Sequence, residues 1–411
     1  MLVFNEIKKD YQIWKFCFYG FFKNLKFFEP YLLIYLIGMG LDLFQIGILY
    51  AIREGITYLF EVPSGIIADH YGKKKELLIC FVFYIISFVL FFIGSNVLVI
   101  TVGMIFYGLG EAFRSGTHKA MILSYLEHKG WYEHKGYVYG RTRSYSLLGS
   151  SLSSFLSILL VLNIPALRWI FLACIIPYIL DFLLILSYPN ELDEKRETEK
   201  SLKTFIKLGF GELRDVKSNS NLIKILFSSS TYGGVFKTIK DYIQPILSNM
   251  ILVAGIGTLM NLDANQSVKV YLGLIYGCFY IFSSLASKNV HRLTSTFSSN
   301  VVFDRSFDIM GVLLLLLSFA VYNRFMVIAV SIYFVLYLLM DARRPVFFDV
   351  CSDNMKKEQR ATVLSVESQI RAVLMIIMAP FFGLIAETLS ISFLFLLIGI
   401  LLLFVNRLFK R

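Results

Sequence analysis

The chain is short of charge. Only 17% of its 411 residues are Asp, Glu, Lys or Arg, against 57% that are hydrophobic, and this balance excludes a soluble globular protein of such length. Cysteine is sparse too: Cys17, Cys80, Cys174, Cys278 and Cys351 fall one to a segment, with no C-x-x-C pair. That spacing supports neither a disulfide framework nor a zinc site. The sequence also lacks G-x-S-x-G, H-x-x-x-x-D and any acidic metal cluster, so the expectation is no enzyme, no metal and no cofactor. The stretch "MLVFNEIKKDYQIWK" is polar and runs straight into the first apolar segment, which is not the layout of a cleavable signal. "HKGWYEHKG", with His128 and His134, has no acidic or cysteine partner at ligand spacing and reads as a solvated loop.

What is present instead is a series of long apolar runs. They lie near 13–38, 45–70, 75–95, 98–122, 138–162, 166–188, 222–250, 267–288, 300–321, 325–347, 361–386 and 390–408, twelve segments in all. A helix crosses a bilayer in about 20 mostly apolar residues, and runs of this length favour helices over a barrel. The expected class is an all-α integral membrane protein with twelve transmembrane helices. The net charge of +11 is carried by alternate connections, such as "HYGKKKE" and "DARRPVFFDVCSDNMKKEQR", whereas "GMGLDLF", "GSNV" and "ETLS" hold no Lys or Arg. Basic residues mark cytoplasmic loops. Both termini are therefore expected in the cytoplasm, the bilayer accounts for the charge pattern, and nucleic acid is excluded as a partner.

Residues 189–221 form the one long polar break, and they divide the segments six and six. The expected organisation is a six-helix bundle over 1–188, a cytoplasmic linker over 189–221 and a second six-helix bundle over 222–411. An internal repeat supports it. Tyr19, Gly20, Lys23, Lys26 and Pro30 in segment 1 match Tyr232, Gly233, Lys237, Lys240 and Pro245 in segment 7, and "GRTRSYSLLGS" in segment 5 weakly matches "QRATVLSVESQ" in segment 11. Transporters built from parallel repeats bind their substrate near the midplane between halves.

At the inner end of segment 2 stands "GIIADHYGKKKELL". It resembles the G-x-x-x-D-x-x-G-R-[KR] loop of the major facilitator superfamily through Gly65, Asp69 and Gly72, with Lys73 and Lys74 in the basic positions. In physical terms, a glycine at Gly65 permits close helix packing, Gly72 permits a tight turn, and Asp69 can accept bonds at a helix N-terminus. "EVPSGIIAD", "GEAFRSGTHKAMI" and "RATVLS" resemble poorly defined bacterial exporter branches of that superfamily, and the resemblance covers essentially the whole chain. "LLGSSLSSFLS" departs from the G-x-x-x-G-P-x-x-G-G pattern of drug/proton antiporters. The resemblance implies the twelve-helix fold of the superfamily in a prokaryotic cytoplasmic membrane, acting as a monomer.

An ionisable side chain at membrane depth costs several kcal/mol and is a functional candidate by default. Lys23, Lys26, Lys237 and Lys240 sit near mid-membrane, with Tyr19 and Tyr232 beside them, and form the candidate substrate-binding set. Pairing of Lys26 with Glu29 and of Lys237 with Asp241 along one helical face would leave a lysine over on each side of a central cleft, where the two sets would meet a ligand's negative group from opposite sides. Glu54, Glu61, Glu111 or Asp181 could instead neutralise the surplus from other helices. Arg114, His118 and Lys119 in segment 4 could extend the basic lining, but they approach its inner end and are expected rather to snorkel; Phe27, Tyr31, Tyr58 and Tyr107 lie on cleft-lining segments. Glu29, Glu54, Glu61, Glu111, Asp181 and Asp241 are the candidates for carrying a coupling proton. Gly65, Asp69, Gly72, Lys73, Lys74, Arg141, Arg343 and Arg360 are the candidate gate set, with ion pairs expected to Asp69, Asp341 or Asp349, and Glu367 and Arg371 are expected to pair locally. The expected function is secondary active transport of a small organic solute, anionic or amphiphilic, by alternating access, as a proton-coupled exporter. A multidrug/proton antiporter or an importer of the same fold is the alternative. From another class, the rivals are a lipid-modifying membrane enzyme and a non-transporting sensor.

Overall fold

A computed structural model describes residues 2–193, 219–253, 255, 259, 262–296, 298–352, 355 and 360–409, with the side chains at 2, 69, 284–296, 352, 360–362 and 408–409 excepted. Each of the twelve apolar segments forms helix. In chain order the helices are α1 (Leu2–Lys9), α2 (Tyr11–Lys23), α3 (Leu32–Gly38), α4 (Leu43–Tyr71), α5 (Lys73–Ile93), α6 (Val97–Arg114), α7 (Thr117–His128), α8 (Lys135–Asn163) and α9 (Trp169–Leu186). After residues 194–218, which lie outside the described residues, come α10 (Ser220–Ile239), α11 (Ile243–Leu252), α12 (Ala264–Thr296), α13 (Ser299–Tyr322), α14 (Met326–Ser352), α15 (Arg360–Thr388) and α16 (Ile391–Phe409). The residues fall into two compact units, one of 1–35, 52–199 and 276–280, the other of 36–51, 200–275 and 281–411.

In the first unit, α2 starts at Asp10, whose carboxylate accepts the Ile13 N–H at 2.9 Å, a bond that satisfies one of the helix's orphan donors. It stops at Lys23. Asn24 folds back, its side-chain amide donating to the Gly20 carbonyl at 2.6 Å, and the chain runs through turns to a single 3-10 turn, Glu29–Tyr31, before α3. Pro30 has no N–H to contribute to a continuing ladder but fits an opening turn. Segment 1 is thus a broken helix. Segment 4 is broken as well, at Ser115 and Gly116, where Gly116 takes φ +79°, a conformation that only glycine adopts without strain.

Small residues let α2 approach α8. A Cβ on Gly149 would collide with the Phe21 carbonyl, and one on Gly20 would meet Ser146. The rest of the unit packs on rings: Tyr178 of α9 lies edge-on to Phe88 at 4.8 Å and to Tyr84 at 5.2 Å. Large aromatic side chains carry the greatest buried area per residue, so this cluster holds α5 and α9 together.

The second unit repeats the interruption. Its α10 ends at Ile239, a 3-10 turn covers Lys240–Tyr242, and α11 follows with Pro245 in its first turn. Leu222, Ile225 and Leu226 of α10 pack with Phe303, Val346 and Val350 in one core. Gly311 and Gly399 let α13 and α16 come into close approach, and Ser318 and Ser392 exchange hydrogen bonds at 2.7 and 2.9 Å nearby. The N-terminal end of α4 also belongs here. The Leu43 N–H donates to Glu387 at 3.0 Å, and Gly47 and Gly383 leave room for backbone-to-backbone contact between α4 and α15.

Candidate functional site

The break in segment 1 releases backbone groups that a helix would pair, and a bilayer offers no water to replace them. The Lys23 carbonyl is taken by the Tyr178 hydroxyl at 3.1 Å. In the second unit, the Ile239 carbonyl at the matching break is taken by the Tyr333 hydroxyl, also at 3.1 Å. Both interruptions are therefore supported by the neighbouring helices.

The first break delivers the lysines to α6. Lys26 donates to the Tyr107 hydroxyl at 2.8 Å and stands 3.5 Å from Glu111. Glu111 also accepts from Arg114 at 2.6 Å, a charge-assisted bond of the stronger kind. Glu29 lies near enough to act on Lys26 electrostatically, as Lys23 does on Glu111. The cluster therefore sets three cations against two carboxylates. The side chains of Lys26, Glu111 and Arg114 keep 17%, 22% and 28% of their surface exposed.

Three expectations are corrected here. Lys26 and Glu29 do not lie along one helical face, because the helix ends at Lys23, before either of them; Lys26 reaches Tyr107 and Glu111. Arg114 does not snorkel but turns inward to Glu111. In the second unit, the 3-10 turn likewise changes the register, so that Lys240 pairs with Asp241 at 3.1 Å and Lys237 is exposed. Glu367 and Arg371 do pair locally, with both carboxylate oxygens at 2.8 Å.

Tyr19 and Tyr232, expected to line a cleft, are instead buried within their own units at 4% and 1% exposure. Tyr19 stacks on His118, ring centroids 3.6 Å apart. Tyr232 lies under Arg343 at 4.3 Å. Arg343 does not make the expected ion pair: it is buried, donates to Ser306 at 2.8 Å and Ser228 at 3.0 Å, and sits 3.9 Å over the Phe303 ring. Hydroxyls and ring faces take the place of the expected carboxylate.

Among the other gate residues, Gly72 has φ +107° and abuts Asp193, whose carboxylate accepts the Lys74 N–H at 2.8 Å. The Lys74 ammonium donates to the Tyr188 carbonyl at 2.7 Å, while Lys73 is half-exposed. This ties the loop to the chain beyond α9. Gly65, expected to permit close packing, has no neighbour near its Cβ position among the described residues. Arg141 stacks on Trp14 at 4.3 Å. The side chains of Asp69 and Arg360 lie outside the described residues.

Glu61 accepts from Ser115 at 2.6 Å, and the Ser64 hydroxyl reaches the Ala112 carbonyl at 3.1 Å. Thr117 donates to Glu76 at 2.6 Å. The E-x-P and S-G-T stretches are thus two halves of one joint at the break in segment 4. Glu54 pairs with Arg53 at 2.8 Å. Asp181 alone of the six coupling candidates is fully buried, and neither of its oxygens has a hydrogen-bond partner among the described residues. Among those residues there is also no group of three His, Cys, Asp or Glu that could hold a metal.

Sequence reasoning undervalued Arg114 and did not connect Tyr107 to the lysines, although a signal was present. "YGLGEAFR" over 107–114 and "YLLMDARR" over 337–344 share Tyr, an acid four residues on and an Arg three beyond it. The second repeat pairs Tyr337, Asp341 and Arg344 with Tyr107, Glu111 and Arg114.

The model of the Major Facilitator Superfamily matches residues 15–373. The uncharacterized MFS-type transporter YxaM of Bacillus subtilis (strain 168) is 22% identical over 380 residues, covering 92% of this chain and 89% of the relative. Among solved structures, the nucleoside transporter NupG superposes with a TM-score of 0.79 at 13% identity, covering 98% of this chain and 100% of its own. A D-xylose-proton symporter superposes at 0.71 and 12% identity, covering 97% and 95%. Identities this low carry the fold and nothing finer.

Proposed function

The chain belongs to the Major Facilitator Superfamily, and from that premise we propose that this multi-pass secondary transporter moves a small organic anion or anionic amphiphile across a prokaryotic cytoplasmic membrane by alternating access. The observation that carries the reading is the surplus of positive charge at Lys23, Lys26 and Arg114 over Glu111 and Glu29, at the break in segment 1. Interrupted segments at matching places in two halves are the commonest pointer to a transporter's binding site. Positive charge in excess, in a setting of low dielectric, selects a negative ligand.

In this reading, Lys26 and Lys23 meet the ligand's negative group, and Glu111 holds the ammonium and guanidinium groups in place between transport events. The halves are six-helix bundles over 1–188 and 222–411, joined by a cytoplasmic linker over 189–221, and the protein works as a monomer. The test is a thermal-shift screen of the purified protein with benzoate, succinate and phosphate against tetraphenylphosphonium and neutral lipids. Stabilisation by anions that Lys26→Gln abolishes supports the reading. Stabilisation by the cation alone overturns it.

A further inference from the structure

Arg371 has more hydrogen-bonding capacity than its ion pair uses. Only its Nη1 meets Glu367, with both carboxylate oxygens at 2.8 Å, and no other hydrogen bond or ion pair holds the guanidinium among the described residues. A guanidinium carries five N–H donors in a rigid planar fork. Those of Nε and Nη2 are therefore left over, on a side chain that keeps 24% of its surface exposed. Arg371 stands eleven residues into α15, roughly 16 Å along it and so at membrane depth. An arginine there faces a bundle interior or a water-filled cavity and marks a solute path by default.

Its neighbours set the direction of the side chain. Val373, Ile377, Phe381 and Leu384 form an exposed apolar stripe on α15, at the spacing of one helical face. Arg371 is not on it. Leu374 and Met378 lie against Gly234 of α10, and a Cβ on Gly233 would come within 3.1 Å of Arg371 Cδ, so the arginine belongs to the side of α15 that packs on α10. Glu367 is fixed there too: its Oε1 accepts from Ser229 at 3.2 Å, its carbonyl accepts from Ser230 at 2.8 Å, and it is 6% exposed. The acid thus holds the guanidinium by one corner. In the first unit, Gly20, the counterpart of Gly233, has Ser146 against it. A serine suffices for such packing, so close approach of two helices does not explain the arginine.

We propose that Arg371 is an anion-binding residue of the second unit and that the group it binds is a carboxylate, taken by Nε–H and Nη2–H as two parallel hydrogen bonds. Glu367 is the positioning residue that holds the third nitrogen. The inference rests on the anionic-solute reading and narrows its class. A carboxylate is planar and matches the fork. It also carries a single charge, whereas a phosphate group carries more than one near neutrality. Glu367 already occupies the same cation, so the singly charged group meets less repulsion.

The test uses the purified full chain with benzoate, succinate and phosphate as probes. Calorimetric titration should show benzoate and succinate binding weakened about tenfold or more in Arg371→Lys, which keeps the charge but loses the fork. Phosphate should bind the wild type more weakly than either. Arginine-selective modification by phenylglyoxal, read peptide by peptide in a mass spectrometer, should label Arg371 in the unliganded protein and label it less in saturating benzoate; a purely structural ion pair would give no such protection. Equal carboxylate affinity in Arg371→Lys, labelling that benzoate leaves unchanged, or tighter binding of phosphate overturns the proposal. Should Arg371→Lys not fold, the labelling of the wild type decides alone. The two readings fail distinguishably: carboxylate binding that depends on Lys26 but not on Arg371 removes this inference only, and a screen that answers to the cation alone removes both.

Discussion

The Ser115 hydroxyl donates to Glu61 Oε1 across 2.6 Å, and this single bond ties the interruption of segment 4 to segment 2. A hydrogen bond to a charged group contributes about 1.5–3 kcal/mol. Glu61→Ala is expected to lower stability by that order, and Glu61→Gln, which keeps an acceptor, by less. Thermal unfolding in detergent checks both; equal melting temperatures in the wild type and Glu61→Ala would mean that the joint does not depend on the bond.

Lys26→Gln keeps length and polarity but removes a charge from the cluster. Anion affinity should fall by roughly ten- to a hundredfold, the equivalent of a charge-assisted hydrogen bond. Calorimetric titration with the best anion from the screen measures it. Unchanged affinity would make Lys26 a structural partner of Glu111 and Tyr107.

Arg343 tests the second unit. Its planar group spans two ring faces and two serine hydroxyls, a combination that an ammonium cannot reproduce. Arg343→Lys is expected to destabilise by about 1–3 kcal/mol, read as a lower unfolding temperature. A melting curve identical to the wild type would show that charge alone suffices there.

Two glycines on one helix should behave oppositely. Gly149→Val forces a side chain into the Phe21 carbonyl and should cost about 1–3 kcal/mol or more by overpacking. Gly140→Ala, also in α8 but with no neighbour near its Cβ position, should be neutral or gain up to about 1 kcal/mol from helix propensity. Matching losses in both variants would refute the close approach of α2 and α8.

Reporter fusions test the orientation. A reporter that is active only in the cytoplasm should work within 189–221 and at both termini, and fail after Gly38 or Thr388. The reverse pattern would overturn the inside assignment drawn from lysine and arginine.

The twelve helices were legible because the bilayer dictates them: a run of about 20 apolar residues has one low-energy way to cross hydrocarbon. The interruption of segment 1 was written in the same residues but was read past. Asn24 and Pro30 are both stop signals, yet the apolar stretch around them looks continuous, and the Lys26 to Glu29 spacing acquires its helical meaning only if the helix continues. Lys26 and Glu111 were each singled out, but their pairing across 85 positions depends on how α2 lies against α6. Arg343 was harder still. Its hydroxyl partners lie 37 and 115 positions away, and serine carries no sequence signal for such a role.

A continuous helix behaves as a rod, so that a push on one end arrives at the other. Segments 1 and 7 cannot act that way, since α2 and α3, like α10 and α11, are joined by a few turn residues whose backbone dihedrals can change without breaking either helix. Each is closer to a pair of levers on a shared pivot, with a tyrosine hydroxyl from a neighbouring helix resting on the pivot itself. Force applied at Lys26 or Lys240 is therefore delivered as bending at that pivot, and one lever can stay seated while the other swings.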